Sequence, residues 1–435
     1  MRLPAQGDIQ KDDVENLDLT SQSAKIRHIN PKIDVWNPKI ESSFTRTEAP
    51  WIAYSHYERT LMSFYGNVLA DIYVAFGKVP HENPMVKGWL STMVRDEVLA
   101  TTVFTISSLY LAISRGEVPT AYLRYKGKAI HAINTRFSDT STAVSNEVLA
   151  AIALLVMVPA LGESVEEIQI HLHGMLQLLR LCGGLESMGD SSWVRVVVRC
   201  QPSIPVDIFV AHSNALSAKE IELHDRLSNA RLESLAAAHG FSKQVTHALV
   251  DLKLLSTLRR ANISADEAQN LMISYTERLA VVMRTLSIAT GSGFESKNSY
   301  VEDACCLAGT LFCTYHLLGY PSRMAVVVQN GLRLQQKLGL TDPDEEWDQF
   351  GDILLSVLFA GAYASAGQLE GKWYLSSLKM VSEKLGGKSW AEIKTMISSF
   401  LYAQELESEY LRIWNDACGG IGSWPLPKMV RRSCI

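Results

Sequence analysis

The cysteines are the residues of this 435-residue chain whose type could build a metal centre. A cluster of two zinc ions needs six thiolates in a short segment, because each ion requires a tetrahedral shell and the ions share bridging sulfurs. The sequence contains no pair of cysteines separated by two residues. The seven cysteines are Cys182, Cys200, Cys305, Cys306, Cys313, Cys418 and Cys434. Their spacing predicts no two-zinc cluster and no other metal site.

Three of these cysteines lie in one apolar segment, ACCLAGTLFCTYHLLG, at residues 304–319. A free cysteine in apolar surroundings behaves as a small hydrophobic residue. We therefore predict that Cys305, Cys306 and Cys313 lie in a buried helix and do not bind a metal.

An acidic segment at residues 342–352 contains Asp344, Glu345 and Asp348, the D-E-x-x-D pattern of magnesium-dependent terpene synthases. Carboxylates four residues apart share a helix face and could hold a magnesium ion. The companion Asn/Ser/Glu motif of those enzymes is missing at its required spacing. Acidic residues at a helix start are also favourable because they face the positive end of the helix dipole. We therefore interpret this segment as an acidic helix start.

Two further groups could in principle bind a ligand. His171 and His173 are two residues apart, so on a helix their side chains point about 200° apart and cannot chelate one metal ion. The segment TGSGF at residues 290–294 lacks the preceding strand and the full glycine pattern of a phosphate-binding loop. The sequence also has no nucleophile elbow, P-loop or H-E-x-x-H motif. We predict no catalytic, cofactor-binding or metal-ligating residue, although an active site built from dispersed residues stays an alternative.

The elements that carry these residues are predicted to be helical. Hydrophobic residues make up 47% of the chain, as in ordinary globular proteins. Residues 1–50 mix charges, Pro, Asn and Ser without periodicity, and we expect a flexible N-terminal arm there. Residues 51–435 show helical periodicity and are predicted to form one domain. The predicted fold class is all-α, a large multi-helix bundle or irregular helical array.

The segment from Ser164 to Gly184 shows the complete pattern of an amphipathic helix. Ser164 and Glu167 have the spacing of a capping box. Gly183 and Gly184 are expected to end the helix in a left-handed conformation. Apolar residues recur at helical spacing and predict one buried face, formed by Ile168, Leu172, Met175, Leu176 and Leu179.

Several other helices and one irregular segment are predicted from caps, prolines and periodicity. The predicted helical segments are Asp96–Ser114, the pair within Thr120–Met157 bounded by Pro119 and Pro159, Ser217–Gly240, Ser242–Ala261, and Ser264–Ser287 with a capping box at Ser264 and Glu267. The segment Ser191–His212 is rich in valine but contains two prolines, so we predict a short helix followed by a bent loop.

The pattern His171-x-x-Gly174-x-x-x-Leu178-Leu179-x-x-x-Gly183-Gly184 resembles the central helix of the fungal-specific transcription-factor regulatory domain. This helical domain normally follows a binuclear zinc-cluster DNA-binding domain. Further segments are similar to its other helices in the same order. They are Asn83–Ala112, Tyr122–Met157 and Ser389–Ala417, the last with Trp390, Phe400 and Trp414. On the resemblance, Gly174 should lie where two helices approach closely, and Gly174→Leu should cost about 1–3 kcal/mol.

The resemblance implies a nuclear regulatory protein that controls a metabolic pathway, with secondary metabolism as one candidate, and that responds to a small-molecule effector or partner. The chain departs from the family pattern because the zinc cluster is missing. Its net charge of −5 also has the wrong sign for extensive phosphate contacts. DNA contact should therefore be indirect, through a zinc-cluster partner, or should use a cluster encoded upstream of Met1.

Two other classes of function stay open. The helical domain could have been recruited as an enzyme or small-molecule-binding protein that holds an apolar metabolite between helices. Alternatively, it could be a scaffold that forms homodimers through apolar surfaces. The N-terminal sequence has no apolar stretch typical of a secretory signal, and the longest apolar run, Val148–Leu161, is too short to span a bilayer. We expect a buried helix there and no membrane partner.

Overall fold

The structure is a computed structural model. It describes residues 54–69, 92–115, 117–138, 145–157, 165–184, 229–259, 265–291, 299–320, 322, 324–368, 370–386 and 388–418. These residues form helices joined by turns, and no strand occurs among them. The predicted all-α fold class is confirmed.

The helices are numbered here in chain order. They are α1 (His56–Phe64), α2 (Glu97–Arg115), α3 (Thr120–Phe137), α4 (Asn146–Met157), α5 (Val165–Leu181), α6 (Ala230–His239), α7 (Lys243–Leu258), α8 (Ala265–Gly291), α9 (Tyr300–Phe312), α10 (Ala325–Leu338), α11 (Gly351–Ala364), α12 (Gly371–Lys384), α13 (Trp390–Ile397) and α14 (Glu407–Cys418). Two π-helical turns extend α1 and α9, at Tyr65–Leu69 and Cys313–Leu317.

Helix α2 is the centre of the N-terminal half and contacts α1, α3 and α4. Every residue from 98 to 112 is buried, although five of these residues are Ser or Thr. The helix tolerates the buried hydroxyls because they donate to carbonyls one turn earlier, as Thr102 does to Val98 and Thr105 does to Thr101. The helix thus satisfies most of its own polar groups and can be surrounded by neighbours.

Helices α9 and α11 are the centre of the C-terminal half. Helix α9 contacts α6, α7, α8, α10 and α11, and α11 contacts α10, α12, α13 and α14. All residues from 301 to 312 and from 353 to 362 are buried, which is expected for helices enclosed on all sides. The surrounding helices expose only their outer faces.

Most predicted helices that fall within the described residues are confirmed. Helix α3 begins directly after Pro119, and α7 begins after Ser242, whose side chain accepts a hydrogen bond from the Val245 amide. Helix α5 ends as predicted, because Gly183 and Gly184 have φ angles of 79° and 92°. Helices α5 and α8 begin immediately after Ser164 and Ser264, but both predicted capping boxes lie outside the described side chains.

One predicted helix is not continuous across Asn229. The segment Ser217–Gly240 was predicted as one helix, but α6 begins only at Ala230, after Asn229. Residues 217–228 lie outside the described part of the chain, as do Pro159, the segment Ser191–His212 and the arm at residues 1–50. The proposed domain boundary at residue 50 therefore stays a prediction.

The predicted role of Gly174 is wrong. A Cβ atom built on Gly174 meets no heavy atom within 4 Å beyond its own helix turn and chain neighbours, so no second helix of the described ranges approaches it closely. The buried face of α5 is instead formed by Met175, Leu178 and Leu179. Gly174 is half-buried at the edge of this face, one turn before Leu178, and the overpacking expected for Gly174→Leu has no basis in the described contacts.

The apolar run that starts at Val148 forms α4, and its residues 148–156 are buried as predicted. Across the described helices, none combines the length and the apolar character that crossing a bilayer requires.

Candidate functional site

The π-helical turn Cys313–Leu317 leads into Gly319, whose carbonyl accepts a hydrogen bond from α2 in the N-terminal half. We call residues 313–320 the π-turn. Its wider backbone is closed by the amide of Leu318, which donates to the carbonyl of Cys313 five residues earlier at 2.9 Å. A π-helical turn is less favourable than an α-helical one and occurs frequently at functional sites. The side chains that bind to this turn therefore show how the fold stabilises it.

Two side chains from distant segments satisfy carbonyl groups of the π-turn. The Tyr110 hydroxyl on α2 donates to the Gly319 carbonyl at 2.7 Å, and Gly319 itself has a left-handed φ of 59°. Arg259, which follows α7, donates to the Leu317 carbonyl at 2.6 Å. These bonds replace backbone partners that an ordinary helix would supply, because the chain leaves helical geometry here. They connect α2 and α7 to the same turn.

His316 lies on the inner side of the π-turn. Its Nε2 atom is 3.2 Å from Oγ of Ser256 on α7, and its ring lies 4.8 Å from the ring of Phe312. A serine beside a histidine is the arrangement of an activated nucleophile and its base. Both residues, however, are only 4% exposed. A substrate cannot reach the Ser256 hydroxyl without opening the core, so this geometry supports a structural hydrogen bond.

Aromatic residues of α9, α11 and α14 lie around Tyr315, and the ring of Phe312 on α9 is 5.7 Å away. The Tyr315 ring centroid is 4.3 Å from that of Tyr363 on α11, and the Tyr315 hydroxyl lies 3.4 Å from the hydroxyl of Tyr410 on α14. Burial raises the pKa of both Tyr315 and Tyr410 well above the usual tyrosine range. The hydroxyls therefore stay neutral at all physiological pH values and act as hydrogen-bonding groups inside the core.

The predicted burial of the cysteine cluster is confirmed. Cys305 and Cys306 on α9 and Cys313 in the π-turn are each fully buried, and none forms a disulfide. Burial raises the pKa of all three thiols, which opposes the thiolate form that binds metal ions. Within the described ranges, no group of three or more His, Cys, Asp or Glu residues is placed to hold a metal ion.

The acidic segment before α11 differs from its predicted geometry. Residues 343–346 form turns and Asp348 begins a short 3-10 helix, so Asp344 and Asp348 do not share an α-helix face. The exposed Asp344 carboxylate pairs with Lys384, and the Asp344 amide donates to the Asp342 side chain at 2.8 Å. The helix that follows has Asp352 in its first turn. Asp352 is therefore the acidic residue at the helix start, and the segment before it is a hydrogen-bonded turn.

The structure places the two histidines on different sides of α5, with His171 half-buried and His173 exposed.

Sequence reasoning missed the π-turn and its partners. The hydroxyl of Tyr110 and the carbonyl of Gly319 are 209 positions apart in the chain. Neither residue belongs to a catalytic motif, and a tyrosine within an apolar helix gives no indication of its distant acceptor.

A comparison with protein-family models identifies the family of the chain. The model of the fungal-specific transcription factor domain matches residues 60–334. The chain belongs to this family. The fungal-specific transcription factor domain thus extends from α1 into α10 and includes the whole π-turn. The resemblance inferred from Asn83 to Gly184 is confirmed, whereas the compared segment Ser389–Ala417 lies outside the matched range.

No curated protein and no solved structure matches the chain. The fungal-specific transcription factor domain family is a class of regulatory domains and not a class of enzymes. Membership in this family supports a role of the chain similar to that of a transcription regulator.

Proposed function

We propose that this chain regulates transcription of a set of metabolic genes, with secondary metabolism as the candidate pathway class, and that it does so in the nucleus. The observation that carries the proposal is the match of residues 60–334 to the fungal-specific transcription factor domain. The enclosed environment of Ser256 and His316 adds support, because the described pair that most resembles catalytic machinery is closed to substrate.

The proposed route to DNA is indirect. The cysteine spacing does not provide a two-zinc cluster, and the net charge of −5 opposes phosphate contacts by the chain as a whole. A zinc-cluster protein, or a homodimer bound to one, would bring the regulator to promoters.

A small-molecule effector is proposed as the signal. The π-turn is the proposed element for transmitting that signal, since Tyr110, Arg259 and Tyr410 connect three separate helical segments to it.

Transcript profiling of a deletion strain tests the regulatory function. We expect transcripts of a coherent gene set to change before metabolite levels change, and a tagged full-length copy to accumulate in the nucleus. An enzyme would give the opposite pattern, with level transcripts and one accumulating intermediate. That opposite pattern would overturn the proposal.

A complementation experiment distinguishes transcription regulation from catalysis within the same strain. Ser256→Ala removes the hydroxyl beside His316 while leaving the surface unchanged. A regulator with this substitution should restore transcripts in proportion to its protein level, measured by immunoblot. Complete loss of function at a normal protein level would favour catalysis by the serine. Tyr57→Phe, at an exposed position of α1, is the matched control.

The indirect DNA contact is tested by binding measurements with the purified full chain. We expect no nanomolar, salt-resistant complex with any one promoter duplex in the absence of a partner. Addition of the zinc-cluster protein that co-purifies with the tagged chain should produce the complex. Specific binding by the chain alone would contradict this part of the proposal.

A further inference from the structure

Helix α3 has a second apolar surface that faces solvent. Its inner face is formed by Tyr122, Tyr125, Ala129, Ala132 and Ile133, which are buried. A separate set of apolar residues on the same helix remains outside the core. Leu123 is 62% exposed, Ile130 is 37% exposed and Phe137 is 41% exposed. We call these three residues the α3 stripe.

The spacing of the α3 stripe is regular. Its members are separated by seven residues, which is close to two helical turns, so they lie in one line along the helix. In coiled coils, apolar residues with this spacing form the contact between two helices. Single exposed apolar residues are ordinary, but an aligned set that extends from Leu123 to the end of an 18-residue helix is a candidate binding surface.

Gly127 lies on the same side of α3, about one turn after Leu123 and one turn before Ile130. A glycine inside a helix is destabilising, because the unfolded chain loses more conformational freedom on folding. The fold gives no reason for it here, since Gly127 is exposed and a Cβ atom at this position meets nothing within 4 Å. The missing side chain leaves a gap in the stripe through which another backbone could approach closely.

The charges that α3 itself carries are of one sign. Helix α3 carries Arg124, Lys126, Lys128 and Arg136 and has no acidic residue. Two of these cations already face carboxylates of other segments, with Lys128 at 3.8 Å from Glu58 and Arg136 at 2.7 Å from Asp96. Arg124 is exposed and donates to the neutral hydroxyl of Tyr125 at 3.2 Å. The basic character contrasts with the net charge of −5 of the chain.

We propose that the α3 stripe binds an acidic amphipathic helix of a partner protein. The apolar face of that helix would cover Leu123, Ile130 and Phe137, and its glutamate or aspartate residues would lie beside Arg124 and Lys126. Charge complementarity excludes a second copy of α3 as the favoured occupant, because two basic helices would repel each other. This inference goes beyond the proposed function and does not depend on it.

Two other anionic partners fit the stripe less well. A DNA duplex would use the cations but would leave the three apolar residues without a function. An anionic membrane favours a wide apolar face that inserts into the interface. The α3 stripe is instead a single line of side chains with a glycine gap at its centre, which favours the rounded surface of a helix.

The test uses the purified full chain and fluorescently labelled synthetic peptides. The acidic probe has about three heptads, with leucine at the first and fourth heptad positions and glutamate at the flanking ones. The control probe has lysine in place of each glutamate. We expect micromolar binding of the acidic probe, measured by fluorescence anisotropy, and no binding of the lysine probe. Equal binding of both probes, or binding of neither, would overturn the proposal.

Three variants locate the binding surface. Leu123→Gln/Ile130→Gln and Arg124→Glu/Lys126→Glu should each weaken binding of the acidic probe by at least about tenfold. Ile288→Gln, which alters an exposed apolar residue of α8, is the matched control and should bind like the unmodified chain. Thermal unfolding of each variant verifies that the fold is intact. An unchanged affinity in both double variants would contradict the assignment to α3.

Gly127→Leu provides the sharpest variant. The added side chain enters open space, so thermal stability should rise, while the filled gap should weaken binding of the acidic probe. A substitution that only destabilises the fold cannot combine higher thermal stability with weaker binding of the acidic probe. Mixed-sequence duplex DNA and phosphatidylserine vesicles are measured in parallel. The proposal would be overturned if the chain bound DNA or vesicles but not the acidic probe, and if the Leu123→Gln/Ile130→Gln variant lost that binding. The occupant of the α3 stripe would then be DNA or a membrane and not a protein helix.

Discussion

The phenol ring of Tyr374 on α12 lies directly over Gly361 on α11, where a Cβ atom would overlap the ring. The hydroxyl of the same tyrosine donates to the carbonyl of Gly331 on α10 at 2.8 Å. One buried side chain therefore joins three consecutive helices of the C-terminal half, and this contact requires a glycine at position 361.

Gly361→Ala should destabilise the protein, because the added methyl group displaces the Tyr374 ring. We expect the free energy of unfolding to fall by about 1–3 kcal/mol, measured by urea denaturation. Gly174→Ala is the matched control, since its methyl group enters open space within a helix and should stabilise by about 0.5–1 kcal/mol. Equal urea midpoints for the two variants would contradict both placements.

Tyr110→Phe should weaken the connection between α2 and the π-turn. The substitution leaves the Gly319 carbonyl without its donor, and we expect a loss of about 1–2 kcal/mol in the free energy of unfolding. Amide hydrogen exchange in residues 313–320 should become faster. Tyr57→Phe, at an exposed tyrosine, should leave both measurements unchanged. A π-turn that exchanges normally in Tyr110→Phe would show that the bond is not needed.

Stability should decrease at alkaline pH. Burial raises the folded-state pKa of Cys305, Cys306 and Cys313 above 9.0, and that of Tyr110 and Tyr315 above 10.0. Because the folded pKa is the higher one, the unfolded state releases protons first. Stabilisation is complete below pH 9 and decreases as the pH rises through 9 and then 10. Urea midpoints measured from pH 7 to pH 11 test this, and a midpoint that rises over this range would contradict it.

Thiol reactivity should separate the cysteines into two classes. In a Cys200→Ser/Cys434→Ser variant, the exposed Cys418 and the half-buried Cys182 should react with a thiol reagent in the native state. The three buried thiols should react only after unfolding. Elemental analysis of the same sample should find no stoichiometric zinc. Rapid native reaction of all five thiols, or two zinc ions per chain, would contradict the buried cluster.

Local features of the fold were accessible from the sequence because each depends on neighbouring residues. The stop of α5 needs only glycines that can adopt positive φ, and Gly183 and Gly184 provide them. Helix α4 follows from an uninterrupted apolar run, and α7 follows from Ser242 before a periodic segment. The order of similar helices between Asn83 and Gly184 was sufficient to indicate the family.

The tertiary structure decided which surfaces meet. Sequence pattern placed Gly174 at a helix contact, but the close contact is at Gly361, because spacing within one helix does not tell which neighbour covers it. The same limit applies to α3, whose pattern contains two apolar faces and does not show which one is buried.

The sequence by itself therefore determined the helical class, most helix ends and the family, since these depend on local propensity and periodicity. Only the tertiary structure decided the π-turn, the partners of Tyr110 and Ser256, and the exposure of the α3 stripe. The physical reason is that a hydrogen bond such as that from Tyr110 to Gly319 depends on the three-dimensional path of the chain between two residues that are 209 positions apart. No local pattern specifies that path.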